Sequence, residues 1–68
     1  MKEIKINTEI IKLDSFLKYA GIVNMGSEAK IYIQTGKVKV NGEIELKRGK
    51  KLKKGDIIEI EGENYKII

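Results

Sequence analysis

The chain has 68 residues, carries a net charge of +4 at pH 7, and contains neither cysteine nor histidine. A chain of this length forms one small domain, which we expect to span residues 1–68. The missing residue types exclude disulfides, thiolate or imidazole metal sites, and nucleophiles activated by histidine. We therefore predict no catalytic residues, no metal ion and no cofactor, and we do not expect an enzyme.

Hydropathy and charge indicate a compartment and a class of partner. No apolar run approaches the ~20 residues of a membrane-spanning helix, and the first residues mix acids with lysines. We expect a cytoplasmic protein without a membrane partner. The sequence pI of about 9.4 is typical of small domains that bind nucleic acid, although a general compositional bias toward lysine would give the same value.

The first two elements are predicted within residues 2–21. Isoleucine alternates with lysine or glutamate over residues 2–6, which predicts a short strand. A helix is predicted next, with Asp14 in its first turn and Gly21 ending it in a left-handed conformation. Its apolar stripe follows the i, i+3, i+4, i+7 spacing, at Leu13, Phe16, Leu17 and Ala20.

A second helix and four more strands are predicted over the rest of the chain. Ser27 suits the N-cap of the helix, and Gly36 suits the left-handed position after its last turn. Turns at 41–42, 54–56 and 62–64 separate or precede strand candidates at 38–40, 43–46, 57–61 and 65–68. Because isolated helices this short are marginal in water, both must pack on the strands. The predicted fold class is α+β, with two short helices packed on a small antiparallel sheet of four to five strands.

The turn at residues 41–42 allows two registers for the strands around it. A two-residue loop places Lys39 opposite Ile44, which mixes charged and apolar side chains on one face of the sheet. A three-residue loop, in which only Gly42 is left-handed, places Lys39 opposite Glu43. We prefer the three-residue loop because it pairs lysines with acids.

The lysines form two groups that differ in their surroundings. In the preferred register Glu45 and Glu43 balance Lys37 and Lys39, so these lysines either fill the strand face or contact a partner. From residue 47 to 54, six of eight residues are basic and none is acidic: Lys47, Arg48, Lys50, Lys51, Lys53 and Lys54. Repulsion between charges this close is about 1 kcal/mol per pair in water. This run is either a solvated turn or a loop held to meet phosphates, and we favour the second interpretation.

Acidic residues follow the basic run without an intervening base, at Asp56, Glu59, Glu61 and Glu63. This order predicts a basic surface beside an acidic flank, an asymmetry that orients a polyanion. It also leaves an alternative function open. The domain could be a protein–protein interaction module that docks through the acidic flank or through a sheet edge formed by residues 65–68.

Five motifs occur in a fixed order, at Lys12-Leu13-Asp14, Gly21, Glu28-Ala29, residues 36–42 and Gly55-Asp56. Together they resemble the small RNA-binding domain named after bacterial ribosomal small-subunit protein four, over about residues 10–61. The chain is similar to short stand-alone bacterial members of that family, some of which are linked to ribosome assembly. These share the leading strand and an Arg-Gly-Lys-Lys stretch, here residues 48–51.

The resemblance implies the fold termed the alpha-L RNA-binding motif. It implies a basic face that contacts the phosphates of structured RNA, either rRNA or tRNA, or of a ribosomal assembly particle. We expect a monomer, because a monomer needs no further assumption. The family often has Ser-Arg before its second helix, where this chain has Met25-Gly26; backbone N–H groups at that helix start can bind an anion instead. The candidate RNA-binding residues are Lys12, Lys18, Gly26, Ser27, Lys30, Lys37, Lys39, Lys47, Arg48, Lys50 and Lys51.

Three tyrosines have two alternative roles. Tyr19, Tyr32 and Tyr65 could each stack on a base, or pack at the edge of the core. We favour packing for Tyr32 and Tyr65. Tyr19 lies off the apolar stripe of its helix, so its role stays open between the two.

Overall fold

Two helices and seven short strands make up the computed structural model, which describes residues 1–68. In chain order they are β1 (Lys2–Ile4), β2 (Ile10–Lys12), α1 (Leu13–Tyr19), α2 (Gly26–Gln34), β3 (Val38–Val40), β4 (Glu43–Ile44), β5 (Lys51–Lys53), β6 (Ile57–Ile60) and β7 (Glu63–Ile67). A five-stranded sheet has the order β1-β7-β6-β3-β4, and β2 pairs with β5 in a separate two-stranded sheet. The α+β class is confirmed, and the large sheet is antiparallel except where β1 runs parallel to β7.

Both helices end at the glycines predicted from the sequence. Gly21 after α1 has a φ of +76°, and Gly36 after α2 has a φ of +78°. The residue after each glycine donates its N–H back into the helix, from Ile22 to Leu17 and from Lys37 to Tyr32. This ending satisfies carbonyls that the last turn would otherwise leave free. Neither helix has the length and apolar character that crossing a membrane requires.

The start of α2 differs from the prediction. The helix begins at Gly26, with Met25 as the N-cap residue and no side-chain cap, so the predicted N-cap role of Ser27 is wrong. The Glu28 carboxylate instead accepts a hydrogen bond from the N–H of Asn24 at 3.3 Å. Because this bond already ties the preceding loop to the first turn, the helix starts without the Ser27 hydroxyl.

The core lies between the helices and the five-stranded sheet and contains 13 buried apolar side chains. The predicted stripe on α1 is confirmed, since Leu13, Phe16 and Leu17 are fully buried and Ala20 packs at the margin. Full burial of a side chain of this size contributes roughly 1.5–3 kcal/mol. The ring of Phe16 meets the ring of Tyr65 edge to face, with 6.4 Å between centroids, and so joins α1 to β7.

The β3–β4 hairpin has the two-residue loop, so the preferred three-residue register is wrong. Lys39 lies opposite Ile44 rather than Glu43, and no ion pair joins Lys37 to Glu45. Charged and apolar side chains can share this face of the hairpin because β4 is a two-residue edge strand, on which Ile44 stays 58% exposed.

The turn itself explains why the shorter loop forms. Asn41 has a φ of +51° and Gly42 a φ of +88°, the positive values that a type I′ turn requires at both positions. The Asn41 side chain is held on both of its polar atoms, since Oδ1 accepts the N–H of Ile57 at 2.9 Å and Nδ2 donates to Asp56 at 3.2 Å. On the other side of β3, Lys39 meets an acid after all, because Glu59 of β6 lies opposite it.

The basic run is not a single loop, contrary to the prediction. Residues 47–50 form a turn, and residues 51–53 form β5, which pairs with the equally unpredicted β2. The cause is Leu52, which is fully buried and lies opposite Ile11. Alternation around this one apolar side chain turns the flanking lysines toward solvent.

The last hairpin also corrects two predictions. Its turn is Glu61-Gly62, again with positive φ values of 50° and 81°, so β7 begins at Glu63 rather than at Tyr65. Because β7 pairs with β1 on one side and β6 on the other, residues 65–68 do not form a free sheet edge. The edges of the five-stranded sheet are β1 and β4.

Asp56 is a buried acidic side chain and not part of the predicted acidic flank. Its Oδ2 accepts the N–H of Lys53 at 2.9 Å, and its Oδ1 accepts the Asn41 amide. Burial by itself raises the pKa of Asp56, but the hydrogen bonds from Lys53 and Asn41 and the positive charges of Lys53 and Lys50 outweigh it. The pKa of Asp56 therefore lies below its ordinary value.

We expect Asp56→Asn to lower the free energy of unfolding by about 1–3 kcal/mol at pH 7, because the amide keeps only one acceptor oxygen for the partly buried N–H donors of Lys53 and Asn41. Since the folded-state pKa is below the unfolded value of about 3.9, the carboxylate stabilises the fold above that pH. This contribution is lost as the pH falls through the folded-state pKa.

Urea unfolding of wild type and variant at pH 7 and pH 3 measures the effect, with exposed Glu43→Gln as the control. The difference between wild type and Asp56→Asn should shrink at the lower pH. A difference that stayed constant with pH would contradict the assignment.

Candidate nucleic-acid interface

The turn at residues 47–50 is hydrogen-bonded to the first residues of α1. The N–H of Leu13 donates to the carbonyl of Lys50 at 2.8 Å, and the N–H of Asp14 donates to the carbonyl of Arg48 at 3.1 Å. The Asp14 carboxylate accepts the N–H of Ser15 at 2.7 Å and lies 3.4 Å from the Arg48 Nε. These contacts satisfy N–H groups that a helix start leaves free, and they fix the basic turn against the helix.

Beside this contact, the β2–β5 pairing places Lys12 opposite Lys51. Directly opposed residues of antiparallel strands have Cβ atoms about 4.5–5.5 Å apart. Both lysines are exposed, and neither takes part in the two ion pairs of the protein, which are Arg48–Asp14 and Lys53–Asp56. Because opposed like charges destabilise a strand pair, the fold retains a repulsion that a bound anion would relieve.

Two further predicted residues extend this group. Lys47 closes the turn, since its carbonyl accepts the N–H of Lys50 at 3.2 Å. Lys18 follows Asp14 by four residues on α1, so it lies on the same flank of the helix. We call this group the basic surface, and it consists of Lys12, Lys18, Lys47, Arg48, Lys50 and Lys51.

The structure places Lys37 and Lys39 elsewhere. Lys39 lies in β3 between buried Val38 and Val40, so its side chain is on the solvent face of the sheet, opposite to the helices. The amino group of Lys37 lies 5.5 Å from the centre of the Tyr32 ring. We therefore do not include these two lysines in the basic surface.

The remaining predicted residues lie together at the start of α2. Gly26 and Ser27 are its first two residues, and no acceptor within the protein bonds their N–H groups. Lys30 follows Gly26 by four residues and shares its flank. Their contact with RNA stays a prediction.

The three tyrosines divide as the sequence suggested. Packing at the edge of the core is confirmed for Tyr32 and Tyr65. Tyr19 is 56% exposed, and its hydroxyl donates to the carbonyl of Lys5 at 2.7 Å. It is the tyrosine whose ring remains accessible.

The carboxylates have structural partners rather than a shared site. Asp14 bonds the start of α1, Glu28 bonds Asn24, and Asp56 bonds the turn before β6. No group of three or more carboxylates is placed to hold a metal ion.

Sequence comparison places this architecture in a family. The family model described as the S4 domain matches residues 4–68. The chain belongs to the S4 domain family. The resemblance found in the ordered motifs is thereby confirmed, and α1, α2 and the 47–51 segment are parts of an S4 domain.

Two similar proteins extend the comparison. The chain is 46% identical over 59 residues to the probable ribosome maturation protein RlbA of Bacillus subtilis (strain 168), covering 87% of this chain and 83% of the relative. Among solved structures it is similar to the 30S ribosomal protein S4e from Thermoplasma acidophilum, with a TM-score of 0.74 and 28% identity. That match covers 88% of this chain but only 32% of the ribosomal protein, so this chain spans about a third of its length.

We expect Lys51→Glu to stabilise the free protein by about 0.2–1 kcal/mol, because an acid opposite Lys12 replaces repulsion with attraction. Urea unfolding at low ionic strength measures the change. Lys2→Glu is the matched control, since it alters the net charge equally but lies opposite Tyr65 rather than a charged residue. Equal stabilisation by both substitutions would show that net charge alone is responsible.

Proposed function

We propose that this S4 domain binds structured RNA, ribosomal RNA or a ribosomal assembly particle, by contacting phosphates with the basic surface. The observation that carries the proposal is the opposed pair Lys12 and Lys51, which is held against the 47–50 turn without an acidic partner. An RNA backbone presents closely spaced negative charges, so its binding would replace the repulsion within the pair by attraction.

The two similar proteins support ribosomal RNA as the kind of RNA that is bound. One is named a probable ribosome maturation protein, and the other is a protein of the 30S ribosomal subunit. The matched region covers most of this chain in both comparisons. We infer that the domain acts in the assembly or maturation of ribosomal particles, as a monomer and without a catalytic step.

The rigidity of the basic surface favours recognition of shape over sequence. Backbone hydrogen bonds to α1 hold Arg48 and Lys50, and strand pairing holds Lys12 and Lys51, so the backbone positions from which the charges project are fixed. Side chains cannot read the deep major groove of paired RNA, whereas its phosphates are accessible. Lysine binds phosphate as a point charge without the planar fork of arginine, so these contacts orient the protein without selecting bases.

Binding should depend steeply on salt. If about five phosphates are neutralised, log K falls with log salt at a slope of roughly −4. We expect Lys50→Glu/Lys51→Glu to weaken binding at least about tenfold and to reduce the slope by roughly two, because two contacts are lost. Fluorescence anisotropy with a labelled ribosomal RNA hairpin measures both quantities. Arg48 is left unchanged because an acid there would face Asp14.

The matched control for that titration is Lys2→Glu/Lys37→Glu. It changes the net charge by the same amount at two exposed positions, of which Lys2 lies opposite Tyr65 and Lys37 lies outside the strands, so neither new acid is paired with an acid across a strand. Its affinity should stay within about threefold of wild type. A slope near zero, or equal losses in both double variants, would refute binding through the basic surface.

In cells, crosslinking followed by sequencing of the attached RNA should enrich structured ribosomal RNA with the wild-type protein. The enrichment should be lost with Lys50→Glu/Lys51→Glu and retained with Lys2→Glu/Lys37→Glu. A weak and diffuse signal shared by all three proteins would instead favour a protein partner at the acidic residues after β5.

A further inference from the structure

An open groove adjoins the basic surface between α1 and the segment that joins β1 to β2. Its volume is about 480 Å³, within the range of about 300–1,000 Å³ that small-molecule sites occupy. Half of its eight lining residues are apolar, and the lining residues that matter for recognition are Ile6, Ile10, Ile11, Lys12, Ser15 and Tyr19. Apolar walls with a few polar groups are typical of small-molecule sites, and an exposed aromatic ring gives a base a surface to stack on.

Tyr19 forms an accessible and fixed wall of this groove. Its ring is 56% exposed, while its hydroxyl is tied to the carbonyl of Lys5 at 2.7 Å. A ring that is already held in place loses little conformational freedom when a ligand stacks on it. Ser15 lies one helical turn before Tyr19 on the same flank of α1, and its exposed hydroxyl has no hydrogen-bond partner in the protein.

Positive charge lies on both sides of the groove. Lys12 lines it and also belongs to the basic surface, so the groove and that surface are continuous. On the other side, Lys53 and Lys54 line a neighbouring depression that shares Asn7 and Thr8 with the groove and includes one acid, Glu9. A strand of RNA crossing here would meet lysine on either side of an apolar recess.

We propose that this groove receives one unstacked nucleobase of the bound RNA. The base stacks on Tyr19 and contacts Ile10, while its flanking phosphates lie near Lys12 and near Lys53 or Lys54. The inference rests on the proposed function and adds to it a preference for RNA that contains an unpaired nucleotide. Because every base has a π face, the groove selects an unpaired nucleotide, such as a bulge, rather than a particular sequence.

The test compares two RNA hairpins with the same stem. One carries a single bulged 2-aminopurine, and the other carries 2-aminopurine paired with uracil inside a continuous stem. Wild-type protein should bind the bulged hairpin about 5- to 100-fold more tightly and should change the fluorescence of the bulged base on binding. Tyr19→Ala should remove this preference and leave the affinity for the paired hairpin as in wild type.

Three variants separate stacking from folding. Tyr19→Phe keeps the ring and should keep most of the preference, whereas Tyr19→Leu fills similar space without a π face and should lose it. Ile44→Ala removes an exposed apolar side chain at the opposite edge of the five-stranded sheet and should behave as wild type. Thermal melting verifies that each variant is folded. If Tyr19→Ala does not fold, Tyr19→Leu provides the test of stacking in its place.

Each outcome has a definite meaning. If the wild type binds both hairpins equally, the groove does not receive a base, but binding through the basic surface stands. A preference that survives Tyr19→Ala and Tyr19→Leu also overturns the groove proposal. If neither hairpin binds at low salt, the proposed RNA binding fails, and the groove proposal fails with it.

Discussion

The hydrogen bonds between the 47–50 turn and the start of α1 determine where the candidate RNA-binding side chains lie. The carbonyls of Arg48 and Lys50 accept the first N–H groups of the helix, so the turn replaces the side-chain cap that Lys12 cannot provide. The same contact brings a dense run of positive charge against a helix end that already favours anions. The same two hydrogen bonds therefore cap α1 and hold the basic turn in place.

This arrangement holds two like charges close together in the free protein. Leu52 is buried with the rest of the core and holds β5 against β2, which forces Lys51 to lie opposite Lys12. Burying one leucine stabilises the fold by about 1.5–3 kcal/mol, whereas the repulsion of one exposed lysine pair costs about 0.2–1 kcal/mol. The fold therefore tolerates the opposed lysines. Lys53 has no similar conflict, because it lies opposite Ile10 and forms an ion pair with Asp56.

Local signals made the helices and most strands predictable. The apolar spacing on α1 and the glycines after both helices determine local conformation, and the structure reproduces them. The β3–β4 register could not be found this way, because the Asn41 side chain bonds Asp56 and Ile57, far along the chain. The prediction considered only how β3 pairs with β4. It did not include β6, whose Glu59 lies opposite Lys39.

The candidate site was predictable in composition but not in geometry. The family resemblance identified Lys12 and Lys51 as candidates, but their direct opposition depends on β2 and β5, each only three residues long. The one signal for β5 is the alternation around Leu52, which is too short to distinguish from a solvated turn by periodicity. The groove beside Tyr19 has no sequence signature, because it forms between segments that only the fold brings together.

The parallel pairing of β1 with β7 joins residues 2–4 to residues 65–67. A ribosome delivers the chain from its N-terminus, so β1 emerges long before the strand that it pairs with. β7 also lies inside the sheet between β1 and β6, which means that the sheet cannot close while residues 63–67 are still in the exit tunnel. This domain must complete its folding after nearly all of its residues have been synthesised, and the long-range pairing makes that last step slower than the formation of the helices.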